Sequence, residues 1–169
     1  LDGTLLDERM IAVDAPALGV ITVGEAVPEA VFARAPVVIT KLELEGSNGA
    51  LLSENLYWLA REPADYRAMS AMEKVAVSLS ARLVAGGEER VIEATLSNTG
   101  TRPALMVKLA VVDAAGERVL PAYWSDNYVS LLPGETRVVT ISAPLSAAMP
   151  DSISVRGWNV APGMTKVMP

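Results

Sequence analysis

The chain has 169 residues, 14 of them basic and 20 acidic, for a net charge of −6 and a pI near 4.7. This balance argues against binding to nucleic acid or an anionic membrane, both of which call for a basic field. It holds neither histidine nor cysteine, which excludes Ser-His-Asp and Cys-His mechanisms, zinc-thiolate and His-ligated metal sites, iron–sulfur clusters and disulfides.

In chain order, strand-like segments come first. Residues 4–13, 17–24, 36–45 and 50–59 are apolar runs, and Asp2-Gly3 and Asn48-Gly49 are turn dipeptides of the kind that tip hairpins. Four strands make a thin sandwich. Residues 1–61 are therefore expected to be the C-terminal part of a truncated Ig-like sandwich, whose open edges favour self-association or poor order near the N-terminus. The opening Leu1-Asp2 has no Met and no basic cluster ahead of an apolar stretch. It reads as a piece of a longer protein, without a signal peptide. Residues 62–72 fit no strand pattern and are expected to be a linker, as a turn or short helix.

From residue 73 the dominant period is two. Val75, Val77, Leu79, Ala81 and Leu83 alternate with Lys74, Ala76, Ser78, Ser80 and Arg82, which puts one set in a core and the other in water. Asn98-Thr99-Gly100, Asp113-Ala114-Ala115-Gly116 and Pro133-Gly134 separate further runs, and each has turn chemistry. The spacing predicts strands at 73–84, 89–97, 104–113, 117–121, 127–131, 135–142 and 152–159. About seven short strands in about 100 residues is the pattern of an Ig-like antiparallel β-sandwich, here residues 73–169. The expected class is all-β, with this complete sandwich preceded by a partial second one. With 51% hydrophobic residues a packed core is within reach. No apolar run approaches the ~20 residues that a membrane helix needs.

Chemistry-bearing motifs are few. Leu1-Asp2-Gly3-Thr4-Leu5-Leu6-Asp7 is similar to the first motif of haloacid-dehalogenase-type phosphatases. The nucleophilic Asp of that motif would precede residue 1, and the βα alternation of that family is missing, so the segment reads as a hairpin tip. Glycoside hydrolysis needs a pair of carboxylates. Glu43 and Glu45 share a strand face and Glu88-Glu89 sits by Gly86-Gly87, and both pairs read as solvated surface. No catalytic residue, metal site or cofactor is expected. Two aromatic stretches stand out, Ser53–Leu59 and the run from Tyr123 to Glu135. In the second, Trp124, Asp126, Asn127 and Tyr128 are candidates for lining a sugar site. Asx side chains can equally bond the local backbone.

These stretches also carry a family resemblance. Ser53-Glu54-Asn55-Leu56-Tyr57-Trp58-Leu59 is followed by Ser125-Asp126-Asn127-Tyr128-Val129-Ser130-Leu131-Leu132-Pro133-Gly134-Glu135 and then by Gly157-Trp158-Asn159-Val160. In that order they resemble the C-terminal region of glycoside hydrolase family two, in the exo-β-D-glucosaminidases and related β-mannosidases and endo-β-mannosidases. The resemblance implies a parent with a TIM barrel that holds both catalytic glutamates, followed by two Ig-like sandwiches. This chain would be the tail of the first and all of the second. It would be non-catalytic, partnered by the barrel of its own chain, and would brace that barrel or complete the rim of a pocket for glucosamine- or mannose-containing oligosaccharides. Such a parent is expected to be secreted or periplasmic. The alternative is an independent carbohydrate-binding or interaction module. That alternative requires an exposed aromatic platform, which 3 Trp, 4 Tyr and 1 Phe supply thinly.

Overall fold

A strand forms where a neighbour takes up its backbone hydrogen bonds, and an apolar run without one stays irregular. The computed structural model describes residues 1–84 and 86–169, and the chain divides into units of residues 3–72 and 73–169. The first unit departs from the sequence expectation for this reason. Residues 4–13 and 17–24 form no strand, and Leu5, Met10, Ile11, Val13, Val20, Ile21 and Val23 lie exposed. Their apolar character predicts strands, but no described segment pairs with them.

Where a partner is supplied by the chain itself, the strands form. After a single helical turn, α1 (Glu29–Phe32), β1 (Val37–Glu45) pairs antiparallel with β2 (Leu51–Ala60). The turn between them uses Gly49 at φ +77°, and the Asn48 side chain accepts the Ala50 N–H at 3.0 Å. Residues 62–72 hold a 3₁₀ helix, Pro63–Ala71, capped reciprocally by Glu62 and Asp65. The Tyr66 hydroxyl donates to the Trp58 carbonyl at 2.8 Å and ties this helix to β2.

In the second unit the strands are β3 (Ser78–Val84), β4 (Glu89–Ser97), β5 (Ala104–Val112), β6 (Tyr123–Trp124), β7 (Val129–Leu131), β8 (Thr136–Pro144), β9 (Ser152–Arg156) and β10 (Gly163–Met168). They run in the order β6-β8-β4-β3-β10-β9-β5-β7. All named pairings are antiparallel except that of β10 with β3, which is parallel over Val167↔Ala81 and Met168↔Arg82. Strand β10 thus belongs to one layer through β9 and closes onto the other through β3. The inward side chains of both layers meet in one core: Ile92, Leu96, Val139 and Ile141 from the β4–β8 side, and Leu109, Val111, Leu131 and Ile153 from the β5–β9 side. This is the Ig-like β-sandwich that the period-two pattern predicts. Each of these side chains contributes about 1.5–3 kcal/mol on burial.

Several boundaries differ from the sequence reading. The run 117–121 makes only one bridge, Arg118 to Val112. The run 73–84 becomes regular at Ser78, after a bridge from Val75 to Val160. Strand β9 stops at Arg156, and β10 lies outside the sequence expectation.

Candidate functional site

The stretch from Tyr123 to Tyr128 crosses between the two ends of the strand order. At one end Trp124 pairs with Ile141 of β8, and its half-buried ring packs against the core. Ser125 is held there twice. Its N–H donates to the Thr140 carbonyl at 2.8 Å, and its hydroxyl accepts the Thr140 N–H at 2.9 Å. At the other end Asn127 replaces a strand residue. Its Oδ1 accepts the N–H of Leu109 and that of Tyr128, each at 2.9 Å, and its Nδ2 donates to the Leu109 carbonyl at 3.2 Å. The amide of Asn127 thus extends the β5–β7 ladder by one position. Asp126 is the exposed apex between these clamps, and among the described residues its carboxylate has no hydrogen-bond partner.

Of the four candidates, Trp124 therefore points into the core and Asn127 spends its amide on backbone. Asp126 and Tyr128 face solvent. Tyr128 sits at φ +59°, and Met106 at φ +53°. Both are bulky L-residues in the left-handed region, a conformation that costs about 1–2 kcal/mol each. They lie close together, since the Met106 N–H donates to the Ser130 hydroxyl at 3.1 Å and the β5–β7 register slips between Ala104 and Val107.

Sequence reasoning missed what surrounds Tyr128. On β5, Val107 and Leu109 are buried, so Lys108 between them points outward. Its ammonium lies 5.1 Å from the centre of the Tyr128 ring. Across β5 the residue opposite Lys108 is Arg156 of β9. Tyr128, Lys108 and Arg156 thus form one row across neighbouring strands. The Lys108 ammonium, as a hydrogen-bond donor, is the largest cause lowering the Tyr128 phenol from its ordinary value; burial opposes it, and the charges of Lys108, Arg156 and Arg118 lower it further. No single stretch of sequence contains this row, because strand register assembles it.

The Tyr128 shift has a testable sign. The folded state favours the ionised phenol, so its stabilising contribution is fully present only above the unfolded value near 10 and disappears as pH falls through the lowered folded value. In an ultraviolet difference titration of the chain against Tyr128→Phe, the missing phenol titrates below the ordinary value near 10. Lys108→Gln moves it back toward that value. A phenol that titrates at the same pH with and without Lys108 contradicts the assigned contact.

Two buried asparagines complete the frame. Asn98 donates from Nδ2 to the Arg102 carbonyl at 2.8 Å and the Leu131 carbonyl at 3.0 Å, and its Oδ1 accepts the Gly100 N–H at 3.1 Å. Asn159 accepts the Leu105 N–H at 2.9 Å and donates to the carbonyls of Pro103 at 2.8 Å and Glu73 at 3.4 Å. Beside it Gly157 leaves no room for a side chain: a Cβ there would lie 2.7 Å from the Leu105 carbonyl oxygen and 2.8 Å from Val160. The Trp158 N–H can then reach that carbonyl at 2.9 Å.

The carboxylates weighed for hydrolysis are placed otherwise. Glu43 stands opposite Glu54 across the β1–β2 hairpin, and Lys41 binds them at 2.7 and 3.2 Å. Among the described residues no group of three or more acidic side chains is gathered to hold a metal ion.

Comparison with known proteins agrees with the resemblance drawn from the three motifs. Residues 55–160 match the family model of the exo-beta-D-glucosaminidase Ig-fold domain. The chain is 33% identical to an exo-beta-D-glucosaminidase of Streptomyces avermitilis, over 79% of this chain and 17% of that protein. It is 34% identical to one of Amycolatopsis orientalis, over 94% of this chain and 18% of that protein. The crystal structure of the exo-chitosanase CsxA of Amycolatopsis orientalis matches with a TM-score of 0.70 at 31% identity, covering 79% of this chain and 18% of that one. The chain thus spans less than a fifth of the length of these relatives.

Proposed function

We infer that this chain, which belongs to the exo-beta-D-glucosaminidase Ig-fold domain family, is a non-catalytic C-terminal β-sandwich region of a larger glycoside hydrolase. The parent cleaves β-linked glucosamine from an oligosaccharide, or a β-mannoside as the second choice. The sandwich braces its catalytic barrel, and the loop from Trp124 to Tyr128 faces the rim of its pocket. The observation that carries this reading is a match spanning residues 55–160 to one domain type of enzymes more than five times as long. Residues 1–61 are then the end of a preceding sandwich, and the exposed apolar segments 4–13 and 17–24 would find strand partners in the rest of the parent.

An independent sugar-binding module fits less well. A platform needs coplanar exposed rings, and Tyr123 and Tyr128 belong to opposite ends of the strand order, beside β8 and β5 respectively.

The test is a hydrolysis assay of the full-length parent on chromogenic β-glucosaminide and β-mannoside, with this 169-residue chain as control. The expected result is cleavage of the glucosaminide by the parent and of neither substrate by the chain. A parent inactive on both, or a chain active alone, overturns the reading.

A further inference from the structure

We propose that the outward row Tyr128–Lys108–Arg156 is an ionic docking surface for a carboxylate-bearing face of the parent chain outside these 169 residues. The proposal rests on the reading of the chain as one region of a longer glycosidase, and it names residues and a chemistry for the bracing contact.

The first argument is electrostatic. Lys108 and Arg156 stand directly opposite each other on adjacent antiparallel strands, and like charges in that position are destabilising. Elsewhere several cations meet acids, Arg82 with Glu93, Arg102 with Glu73 and Lys166 with Asp151, and Lys74 and Arg90 bond backbone carbonyls instead. Among the described residues Lys108, Arg118 and Arg156 pair with no carboxylate, in a chain of net charge −6. Such a surface is completed by acidic side chains that arrive from outside.

The second argument is conformational. The row is bordered by two bulky residues in the left-handed region, Tyr128 and Met106, and both side chains are exposed, at 48% and 38%. Strain of this kind persists where the surrounding structure holds it in place, and it clusters at functional positions such as active sites, ligand clamps and switch regions. Here it aims a phenol and a thioether, both frequent at protein interfaces, out of a strand pair that could otherwise have stayed regular.

The third argument concerns the occupant. A glucosamine unit carries an amine that is cationic when protonated, and in that form this row repels the proposed substrate. The row runs over the outward face of a sheet, which fits a protein surface bearing several carboxylates. The relatives supply more than four-fifths of their length beyond the matched part, and a covalently linked partner acts at high effective concentration.

The test uses the full-length parent and a water-soluble carbodiimide, which condenses a lysine amine with a carboxylate already in contact, followed by peptide mass spectrometry. Lys166 and Asp151, at 2.6 Å, provide the internal positive control. The expected product joins Lys108 to an Asp or Glu of the parent beyond this 169-residue region, within one molecule. Mixed light- and heavy-isotope parent then yields no mixed pair. Both Arg156→Gln and Arg156→Glu lower the yield of this product while leaving the Lys166–Asp151 product unchanged. Formation of the control product without the Lys108 product overturns the proposal, and so does a Lys108 product formed only between copies. Hydrolysis of the glucosaminide is scored separately, so a parent that is active but not cross-linked refutes the docking surface alone. A cross-linked parent inactive on both sugars refutes the assigned activity alone.

Discussion

Replacing Asn159 by alanine lowers the stability of the chain by about 3 kcal/mol. The side chain is 1% exposed and ties three backbone groups that no strand partner reaches: the Leu105 N–H and the carbonyls of Pro103 and Glu73. Alanine leaves the first two buried and unpaired, and each such group costs about 1–3 kcal/mol. The Val75–Val160 bridge weakens with it, because the Val75 N–H bonds the Asn159 carbonyl at 2.8 Å. For a unit of this size the midpoint of thermal unfolding falls by about 12 °C or more. Asn159→Asp separates hydrogen bonding from shape. It keeps an acceptor for Leu105 but turns a carboxylate toward two carbonyl oxygens, which disfavours the charged form. The folded pKa of that Asp is raised, so the variant regains stability as pH falls and loses it as pH rises through the raised value. The measurement is urea unfolding at neutral and mildly acidic pH. An alanine variant within about 0.5 kcal/mol of the parent sequence, the range of an ordinary surface change, contradicts the role assigned to this amide.

The sequence makes the strands legible where a strand buries one face. Ile92, Ala94 and Leu96 alternate with Glu93 and Thr95, and that period survives because the core accepts one face only. Segments 4–13 and 17–24 are as apolar, yet a period says nothing about whether a partner is present, and here the described residues offer none. Strand β10 escapes the pattern for the opposite reason. Thr165 and Val167 are half-buried while Met164, Lys166 and Met168 are exposed, so burial alternates but places two methionines in water and a threonine inward, and the strand is defined by its neighbours β9 and β3. The candidate loop shows the same division. That Asn127 bonds backbone follows from its residue type, but its partner Leu109 lies 18 positions away and is fixed by register. The Tyr128–Lys108–Arg156 row depends on two registers at once.

The same division separates the two polar residues of the loop, and a pair of single substitutions distinguishes rim from brace. Asn127→Ala removes three hydrogen bonds to backbone. These bonds lie at a half-buried edge of the ladder, where water replaces part of what is lost, so the expected destabilisation is about 1–2 kcal/mol. Asp126→Ala removes an exposed carboxylate without a partner among the described residues, and stability should stay within about 0.5 kcal/mol. If the loop faces the pocket of the parent, Asp126 is the side chain free to meet substrate. Its carboxylate suits a protonated glucosamine amine, where the neighbouring cationic row does not. In the full-length enzyme Asp126→Ala then raises KM for the glucosaminide severalfold with an unchanged unfolding midpoint, and Asp126→Asn, which keeps shape but not charge, does the same. Asn127→Ala lowers the midpoint, and its kinetic effect follows from the displaced loop. An Asp126→Ala enzyme with wild-type KM and kcat removes the loop from the rim and leaves it a connector clamped at Ser125 and Asn127. A fall in the midpoint for Asp126→Ala alone would instead place the carboxylate against a cation of the parent and make the apex a second bracing contact.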